Sequence, residues 1–256
     1  MKYLSLSDSV QIKKIEESET QGLFEIEGLY TGYGLTVGNA LRRALLSSLP
    51  GAAITQIKIK GVGHEFSTIP NVVEDVVEIT LNLKKIRLQS FSDEPQVLQL
   101  KARGEKEVRA SDIETNDQVK IVTPDIVIAH LSAKKAEFDM EITVERGLGY
   151  SPAESRKDGK LSIGTIAIDA IFTPVISVNY TIENMRVGDK TDYNRLHLKV
   201  VTDGTIKPGD AIFQSASILK DHFSKIIDIE TESSPKTEVI EEVEEAPKKK
   251  ATKAKK

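Results

Sequence analysis

The segment Leu29–Pro50, LYTGYGLTVGNALRRALLSSLP, predicts a helix over Val37–Ser48 whose two faces differ in chemistry. A helix turns by roughly 100° per residue, so one side carries small and apolar residues: Val37, Ala40, Leu41, Ala44, Leu45 and Ser48. The opposite side carries Asn39, Arg42, Arg43 and Leu46. A leucine beside arginines is typical of a helix that meets a partner protein. The alternative is a solvated face with one isolated leucine.

Alternating apolar and polar residues predict strands on both sides of this helix. Val10–Glu16 and Gly22–Leu29 form a predicted hairpin before it, and Ala53–Val62 forms a strand after it. A second helix is predicted over Val72–Leu83, opened by Thr68 and Pro70. The remaining strands are predicted at Leu98–Ala102, Val119–Val122, Phe138–Glu145, Leu161–Phe172, Ser177–Met185 and Arg195–Thr202.

A last helix is predicted from Pro208 to Ile229, and its apolar stripe needs a covering surface. The glycine-rich strings Gly32–Gly38 and Gly147–Gly149 are assigned to turns, as is Lys157-Asp158-Gly159. The predicted fold class is α+β.

The composition excludes several classes of protein. The chain has 256 residues, no cysteine and no tryptophan, so disulfides and thiolate metal sites are excluded. A net charge of -4 argues against a surface that coats nucleic acid. The beginning of the chain lacks the pattern of a signal peptide, and no segment reaches the roughly 20 apolar residues of a membrane span. We therefore expect a cytoplasmic protein that does not bind membranes.

The sequence shows no constellation of catalytic residues. The histidines, His64, His130, His197 and His222, lack metal-binding spacing, and we interpret them as packed or surface residues. The chain has no phosphate-binding loop, no nucleophile elbow and no aspartate cluster for paired Mg²⁺ ions. Glu74, Asp75 and Glu78 are placed early in the second helix, where carboxylates complement the helix dipole. A stand-alone enzyme is therefore disfavoured.

The segment from Thr231 onward, TESSPKTEVIEEVEEAPKKKATKAKK, has no apolar periodicity. It combines an acidic block, Glu241–Glu245, with a basic block, Lys248–Lys256, and we predict that residues 231–256 are disordered. The lysines could bind DNA in a salt-sensitive way, or they could form a mobile, solubilising tail.

Long stretches of the sequence resemble a known family. Besides the opening segment, these stretches are GAAITQIKIKGVGHEFSTIPNVVEDVVEITLNLKKIRL (Gly51–Leu88), VKIVTPDIVIAHL (Val119–Leu131), VERGLGYSPAE (Val144–Glu154), IGTIAIDAIFTPV (Ile163–Val175) and YTIENMRVGDKTDYNRLHLKVVTDGTIKPGDAI (Tyr180–Ile212). Together they resemble the amino-terminal assembly domain of the alpha subunits of bacterial DNA-directed RNA polymerase. The resemblance covers about residues 5 to 228. The charged tail differs from the family pattern, in which a linker and a DNA-binding domain follow.

The resemblance implies a discontinuous dimerisation subdomain, residues 1–51 and 172–230, made of a sheet and two helices. Residues 52–171 would form an inserted, mostly β subdomain. Two copies would pack their helices into a homodimer, whereas packing within one chain is the alternative for the apolar stripes. The implied dimer-interface residues are Tyr33, Val37, Ala40, Ala44, Ser48, Ile212, Ala216, Leu219 and Phe223.

The resemblance also implies contacts with the large beta and beta-prime subunits, and with omega and sigma in the assembled enzyme. The implied partner-binding residues are Arg43, Leu46, Arg42, Lys84, Ile168, Asp169 and Arg186. Lys84 could instead complement a helix dipole, and Ile168 could belong to the core. The chain would hold no cofactor and no catalytic residue, and the Mg²⁺ of nucleotidyl transfer would belong to a catalytic subunit. The alternative function is a nucleic-acid-binding accessory protein that acts through the lysine tail.

Overall fold

The computed structural model describes residue 6, residues 8–156 and residues 164–229 as an α+β fold. The helices of this part are α1 (Tyr33–Ser47), α2 (Val76–Leu83) and α3 (Pro208–Ile227). The strands are β1 (Gln11–Glu17), β2 (Gln21–Leu29), β3 (Pro50–Ile59), β4 (Leu88–Ser90), β5 (Gln96–Arg103), β6 (Lys106–Arg109), β7 (Ile113–Glu114), β8 (Val119–Ile121), β9 (Val127–Leu131), β10 (Glu137–Leu148), β11 (Tyr150–Ser151), β12 (Thr165–Ala167), β13 (Ala170–Ile171), β14 (Val175–Val187) and β15 (Lys190–Thr202). The predicted tail 231–256 and the predicted turn Lys157-Asp158-Gly159 lie outside the described residues.

The smaller sheet is built from both ends of the chain. Its four strands lie in the order β1-β2-β15-β14, and every pair is antiparallel. Helices α1 and α3 pack together and against this sheet. The shared core contains residues Ile26, Leu29, Leu41, Leu45, Leu49, Val175, Val178, Leu196, Leu198, Val200 and Ala211. The alternation of apolar residues in β2 and β15 therefore buries one face of the sheet under the helices.

The larger sheet is built from the middle of the chain. Its main path has the order β7-β5-β10-β3-β4-β8, with β12 paired to β3. Two short two-stranded sheets, β6-β9 and β11-β13, flank it. Its core extends from Ile54 to Ile168 and shares no residue with the core of the smaller sheet. The two sheets are thus packed around separate apolar clusters.

Helix α1 begins at Tyr33, four residues before the predicted start at Val37. The assignment of Gly32–Gly38 to a turn was wrong for all residues after Gly32, since the helix begins at Tyr33 and Gly34 and Gly38 are buried within it. A side-chain carbon at Gly34 would lie 3.0 Å from Asn194 Cβ, and one at Gly38 would lie 3.0 Å from Leu196 Cδ1. Glycine therefore lets the helix lie directly on the sheet.

The corresponding assignment of Gly147–Gly149 to a turn was also wrong at its first residues. Gly147 lies within β10, which continues to Leu148, and only Gly149 follows the strand. Residue 147 pairs with Gly51 across the sheet. The ring of Phe172 packs against Gly147, and this contact explains why the position has no side chain.

Asn194 of β15 caps the first turn of α1 from outside the helix. Its Oδ1 accepts hydrogen bonds from the amide of Gly32 at 2.9 Å and from that of Gly34 at 3.3 Å. Gly32, at the N-cap position, has no side chain with which to satisfy these donors. The buried asparagine therefore joins the start of the helix to the sheet.

Asn194→Ala is expected to lower the free energy of unfolding by about 1–2 kcal/mol, because it leaves amide donors of a helix terminus without an acceptor. Asn194→Asp is the control, since it keeps an acceptor for these amides, loses the donor that bonds Asn184 Oδ1 at 3.3 Å and adds a negative charge where the helix N-terminus favours one. Chemical denaturation of both variants measures the difference. Equal stability of the alanine variant and the wild type would contradict the capping role.

Helix α2 begins at Val76, four residues after its predicted start at Val72. Asp75 is the N-cap, and its Oδ1 accepts a hydrogen bond from the amide of Glu78 at 2.7 Å. Glu74 was wrongly placed in the helix. Its carboxylate instead accepts hydrogen bonds from the amide of His130 at 2.7 Å and from the His130 ring at 2.5 Å. The loop before α2 is thereby fixed to strand β9.

The pair of His130 and Glu74 makes stability depend on pH. The hydrogen bond that the His130 ring donates to the Glu74 carboxylate raises the pKa of His130 above its usual value. Partial burial raises the pKa of Glu74, but the donors of His130 outweigh this effect and leave it below its usual value. The histidine therefore contributes stability below its unfolded-state pKa of about 6.5, and this contribution is lost as the pH rises through the folded-state pKa.

His130→Gln is expected to be less stable than the wild type at about pH 5.5 and nearly equal to it at about pH 8.5. The difference should stay below about 1 kcal/mol because the side chain of His130 is half exposed. Urea denaturation at the two pH values measures it. A difference that grows toward alkaline pH would contradict the assigned sign.

Among the described helices, we find none with the length and apolar character that crossing a bilayer requires.

Candidate protein-interaction site

An apolar groove of about 840 Å³ lies between α1, α3 and the hairpin of β1 and β2. Its floor is formed by core residues of the smaller sheet, including Phe24, Ile26 and Leu198. One wall is formed by α1 and the other by α3, which is why the apolar stripes of both helices face it. Such a large apolar concavity is characteristic of a surface that binds a protein.

Most of the predicted dimer-interface residues meet in this groove. Those that line it are Tyr33, Val37, Ala40, Ile212, Ala216, Leu219 and Phe223. Ala44 is instead buried in the interior, and Ser48 is half-buried outside the groove. The structure therefore brings together residues from two segments that lie far apart in the sequence.

Helix α3 carries exposed apolar residues along and beyond the groove. Phe223, at the groove, is 58 % exposed. Ile226 and Ile227 in the last turn, and Ile229 after it, are also exposed. Burial of an aromatic ring contributes about 1.5–3 kcal/mol, so an exposed stripe of this size indicates a missing partner surface.

The β1-β2 hairpin also contributes to the groove, which the sequence pattern did not predict. Val10, Ile12 and Tyr30 line it together with the helices. The available signal was the isoleucine pair of β1, since Ile12 and Ile15 are both exposed on an otherwise polar strand. The predicted strand boundaries were nearly right, but the pairing that brings β1 to the groove depends on tertiary structure.

The predicted partner-binding residues of α1 differ in exposure. Arg43 is exposed, and no described side chain lies within hydrogen-bonding distance of its guanidinium. Arg42 is half-buried and donates a hydrogen bond to Asn39 Oδ1 at 3.3 Å. Leu46 is half-buried and packs against the core of the smaller sheet, so it is not the isolated outward leucine that the helix pattern indicated. Of these three residues, Arg43 is therefore the one whose side chain is exposed and free to contact a partner.

Lys84 and Asp169, both predicted to bind a partner, contact each other. Lys84 Nζ lies 2.9 Å from Asp169 Oδ2, and Asp169 Oδ1 accepts a hydrogen bond from the amide of Ala153 at 2.9 Å. The amide of Ala153 and the ammonium of Lys84 hold the pKa of Asp169 below its usual value. The ion pair is about one-third exposed and lies beside Tyr150, whose ring is exposed.

The two other predicted partner-binding residues lie in different surroundings. Ile168 is 2 % exposed and belongs to the core of the larger sheet, as the core alternative predicts. Its side chain is therefore absent from the surface of the chain. Arg186 lies on β14, is largely exposed, and donates a hydrogen bond to the carbonyl of Gly188 at 2.8 Å. It lies on the smaller sheet, apart from the Lys84–Asp169 pair.

No group of three or more His, Asp or Glu side chains in the described ranges 8–156 and 164–229 is arranged to hold a metal ion. The pairs that do form serve the fold, as Glu74 and His130 do. His197 lies between Glu25 and Glu183 on the open face of the smaller sheet, at 3.4 and 3.5 Å. The geometry thus indicates a protein-interaction surface at the apolar groove between α1, α3 and the β1-β2 hairpin.

Comparisons with known proteins identify the family. The family model described as the RNA polymerase Rpb3/RpoA insert domain matches residues 57–173. The DNA-directed RNA polymerase subunit alpha of Symbiobacterium thermophilum is 51 % identical over 231 residues, 90 % of this chain and 73 % of the relative. The same subunit from Roseiflexus sp. is 52 % identical over 89 % of this chain and 71 % of the relative. That from Carboxydothermus hydrogenoformans is 49 % identical over 94 % of this chain and 76 % of the relative.

These identities extend over both sheets and confirm the resemblance drawn from the sequence. The matched relatives are longer than this chain. The chain belongs to the family of DNA-directed RNA polymerase alpha subunits.

Proposed function

We propose that the chain forms a homodimer and that this dimer is the scaffold on which the beta and beta-prime subunits of RNA polymerase assemble. The single observation that carries the first part is the apolar groove between α1, α3 and the β1-β2 hairpin. The family membership supports the second part. Omega and sigma would join in the assembled enzyme.

The proposed occupant of the groove is α3 of a second copy. The groove is lined by apolar side chains, and the exposed stripe that begins at Phe223 is the complementary apolar surface on the same chain. A two-fold interface uses the same patch on both copies. The groove of each copy can therefore hold the exposed apolar stripe of the other. Both apolar surfaces would be removed from water in a single contact.

We further propose that the two sheets correspond to two subdomains. Residues 1–51 and 172–230 would form the dimerisation subdomain around the smaller sheet. Residues 52–171 would form the inserted subdomain around the larger sheet. The separate cores support this division, as does the position of the matched insert model at residues 57–173.

The large subunits would bind the outward face of α1, the Lys84–Asp169 pair and Arg186 on the smaller sheet. Arg43 is the main candidate, because its guanidinium has no described partner and can hold a carboxylate or carbonyls of another protein. The Lys84–Asp169 pair supplies a second polar contact, and Arg186 a third. Catalysis and its Mg²⁺ would belong to a large subunit, and this chain would contribute neither.

The alternative, DNA binding through the lysine tail Lys248–Lys256, concerns residues outside the described part of the chain. No observation favours it over the scaffold.

Light scattering on the purified chain, alone and with the beta subunit, tests the proposal. We expect a mass of twice the 28.2 kDa of the chain, which increases by one beta subunit on mixing. A monomer that does not bind beta would refute the scaffold.

A further inference from the structure

Phe172 lies where the chain passes from the larger sheet back to the smaller one. It follows β13 and precedes β14, and it is 7 % exposed. Although buried, it belongs to the core of neither sheet. The opposite crossing, from α1 into β3, runs beside it at Gly51. Phe172 therefore occupies the junction between the two units.

The packing around Phe172 leaves no room for a side chain at Gly51 or at Gly147. A side-chain carbon at Gly51 would lie 1.8 Å from the carbonyl oxygen of Phe172. One at Gly147 would lie 2.7 Å from the Phe172 ring. The amide of Phe172 donates a hydrogen bond to the carbonyl of Gly149 at 2.8 Å. Gly51, Gly147 and Gly149 thus form a slot around Phe172. Gly147 contacts its ring, and Gly51 and Gly149 contact its backbone.

The slot is close to the end of α1 in space and to Asp169 along the chain. A side-chain carbon at Gly149 would lie 4.0 Å from the carbonyl oxygen of Ser47, so the end of the Arg43 helix approaches this loop. Asp169 lies three residues before Phe172 in the sequence and pairs with Lys84. Elsewhere across the junction, Arg87 Nε lies 4.0 Å from Asp203 Oδ2, a weaker restraint than close packing.

We propose that Phe172 is a positioning residue, which fixes the Arg43 helix at a set orientation to the Lys84–Asp169 pair so that one large subunit contacts both. This inference rests on the proposed scaffold function. Two contacts made by one partner reinforce each other only if their spacing fits. Loss of a fixed spacing should weaken binding while leaving each sheet folded.

Phe172→Ala and Gly147→Ala test the slot from its two sides, because the first empties it and the second fills it. The chain has no cysteine, so spin labels at Lys101→Cys and Lys199→Cys report the distance between the sheets. Dimers in which one copy carries both labels give the intrachain distance. We expect a broadened or shifted distance distribution and at least ~tenfold weaker binding of beta in both variants, with the dimer mass unchanged.

Phe66→Ala is the matched control, since Phe66 is 79 % exposed and lies away from the junction. It should change neither the distance nor the affinity. An unchanged distance distribution in Phe172→Ala and Gly147→Ala would overturn the inference, as would a changed distribution with unchanged affinity for beta. A wild-type dimer that does not bind beta would instead overturn the proposed function, so the two failures are distinguishable.

Discussion

Phe223→Asp is expected to convert the dimer into a folded monomer. The ring is mostly exposed in the single chain, so the substitution leaves its own core intact. In the proposed dimer the carboxylate would enter the apolar groove, where no described cation lies opposite except Lys220 at its rim. A buried, poorly paired charge costs at least ~3 kcal/mol, which corresponds to a dissociation constant about a hundredfold higher.

Light scattering over a range of concentrations measures this shift, with circular dichroism to verify the fold. Phe66→Asp is the matched control, because it places the same charge at an exposed phenylalanine of the larger unit. We expect that control to remain dimeric. A Phe223→Asp variant that keeps twice the chain mass at all concentrations would rule out α3 as the dimer contact.

Arg43→Ala is expected to leave a dimer of normal stability that binds beta about thirtyfold more weakly, or worse. Arginine is enriched among the residues that dominate interface energies, with typical losses of 2 kcal/mol or more on truncation. Within the chain, the guanidinium has no described hydrogen-bond partner, so its removal costs the fold little. Titration of labelled dimer with beta gives the affinity.

Arg103→Ala is the control for this experiment. Its guanidinium is exposed on β5 and lies 3.7 Å from Glu137, away from the face of α1. The control should bind beta as the wild type does. If Arg43→Ala also binds normally, or if it loses the dimer itself, the assignment of this helix face to the large subunits would be wrong.

The secondary structure was predictable because its signals are local. The hairpin, β3, β10, β14 and α3 appear within a few residues of their predicted limits. Larger errors arose in β15, which begins five residues before its predicted start, and in the predicted strand Leu161–Phe172, whose described residues form the two short strands β12 and β13. Errors of four residues arose at the helix starts, where α1 begins earlier and α2 later than predicted. Both starts depend on a polar group, Asn194 from another strand in the first case and Asp75 in the second. Apolar periodicity does not report such caps.

The candidate site was predicted residue by residue but not as a surface. The resemblance named Lys84 and Asp169 as separate contacts, whereas the structure shows them as one ion pair between residues 85 positions apart. It named Ile168 as a contact, whereas that side chain lies in the core. A family motif gives the residue type at each position of the chain, but it does not tell which side chains are exposed to solvent.

By itself, the sequence determined the family, the fold class and the amphipathic helices α1 and α3. Apolar periodicity and sequence motifs are properties of neighbouring residues, so both can be read along the chain. Only the tertiary structure decided that the hairpin closes the groove beside those helices. It also decided that Gly34 and Gly38 lie within a helix, and that Gly51 and Gly147 enclose Phe172. The physical reason is that close packing is set by contacts between segments remote in sequence, whose distances no local pattern encodes.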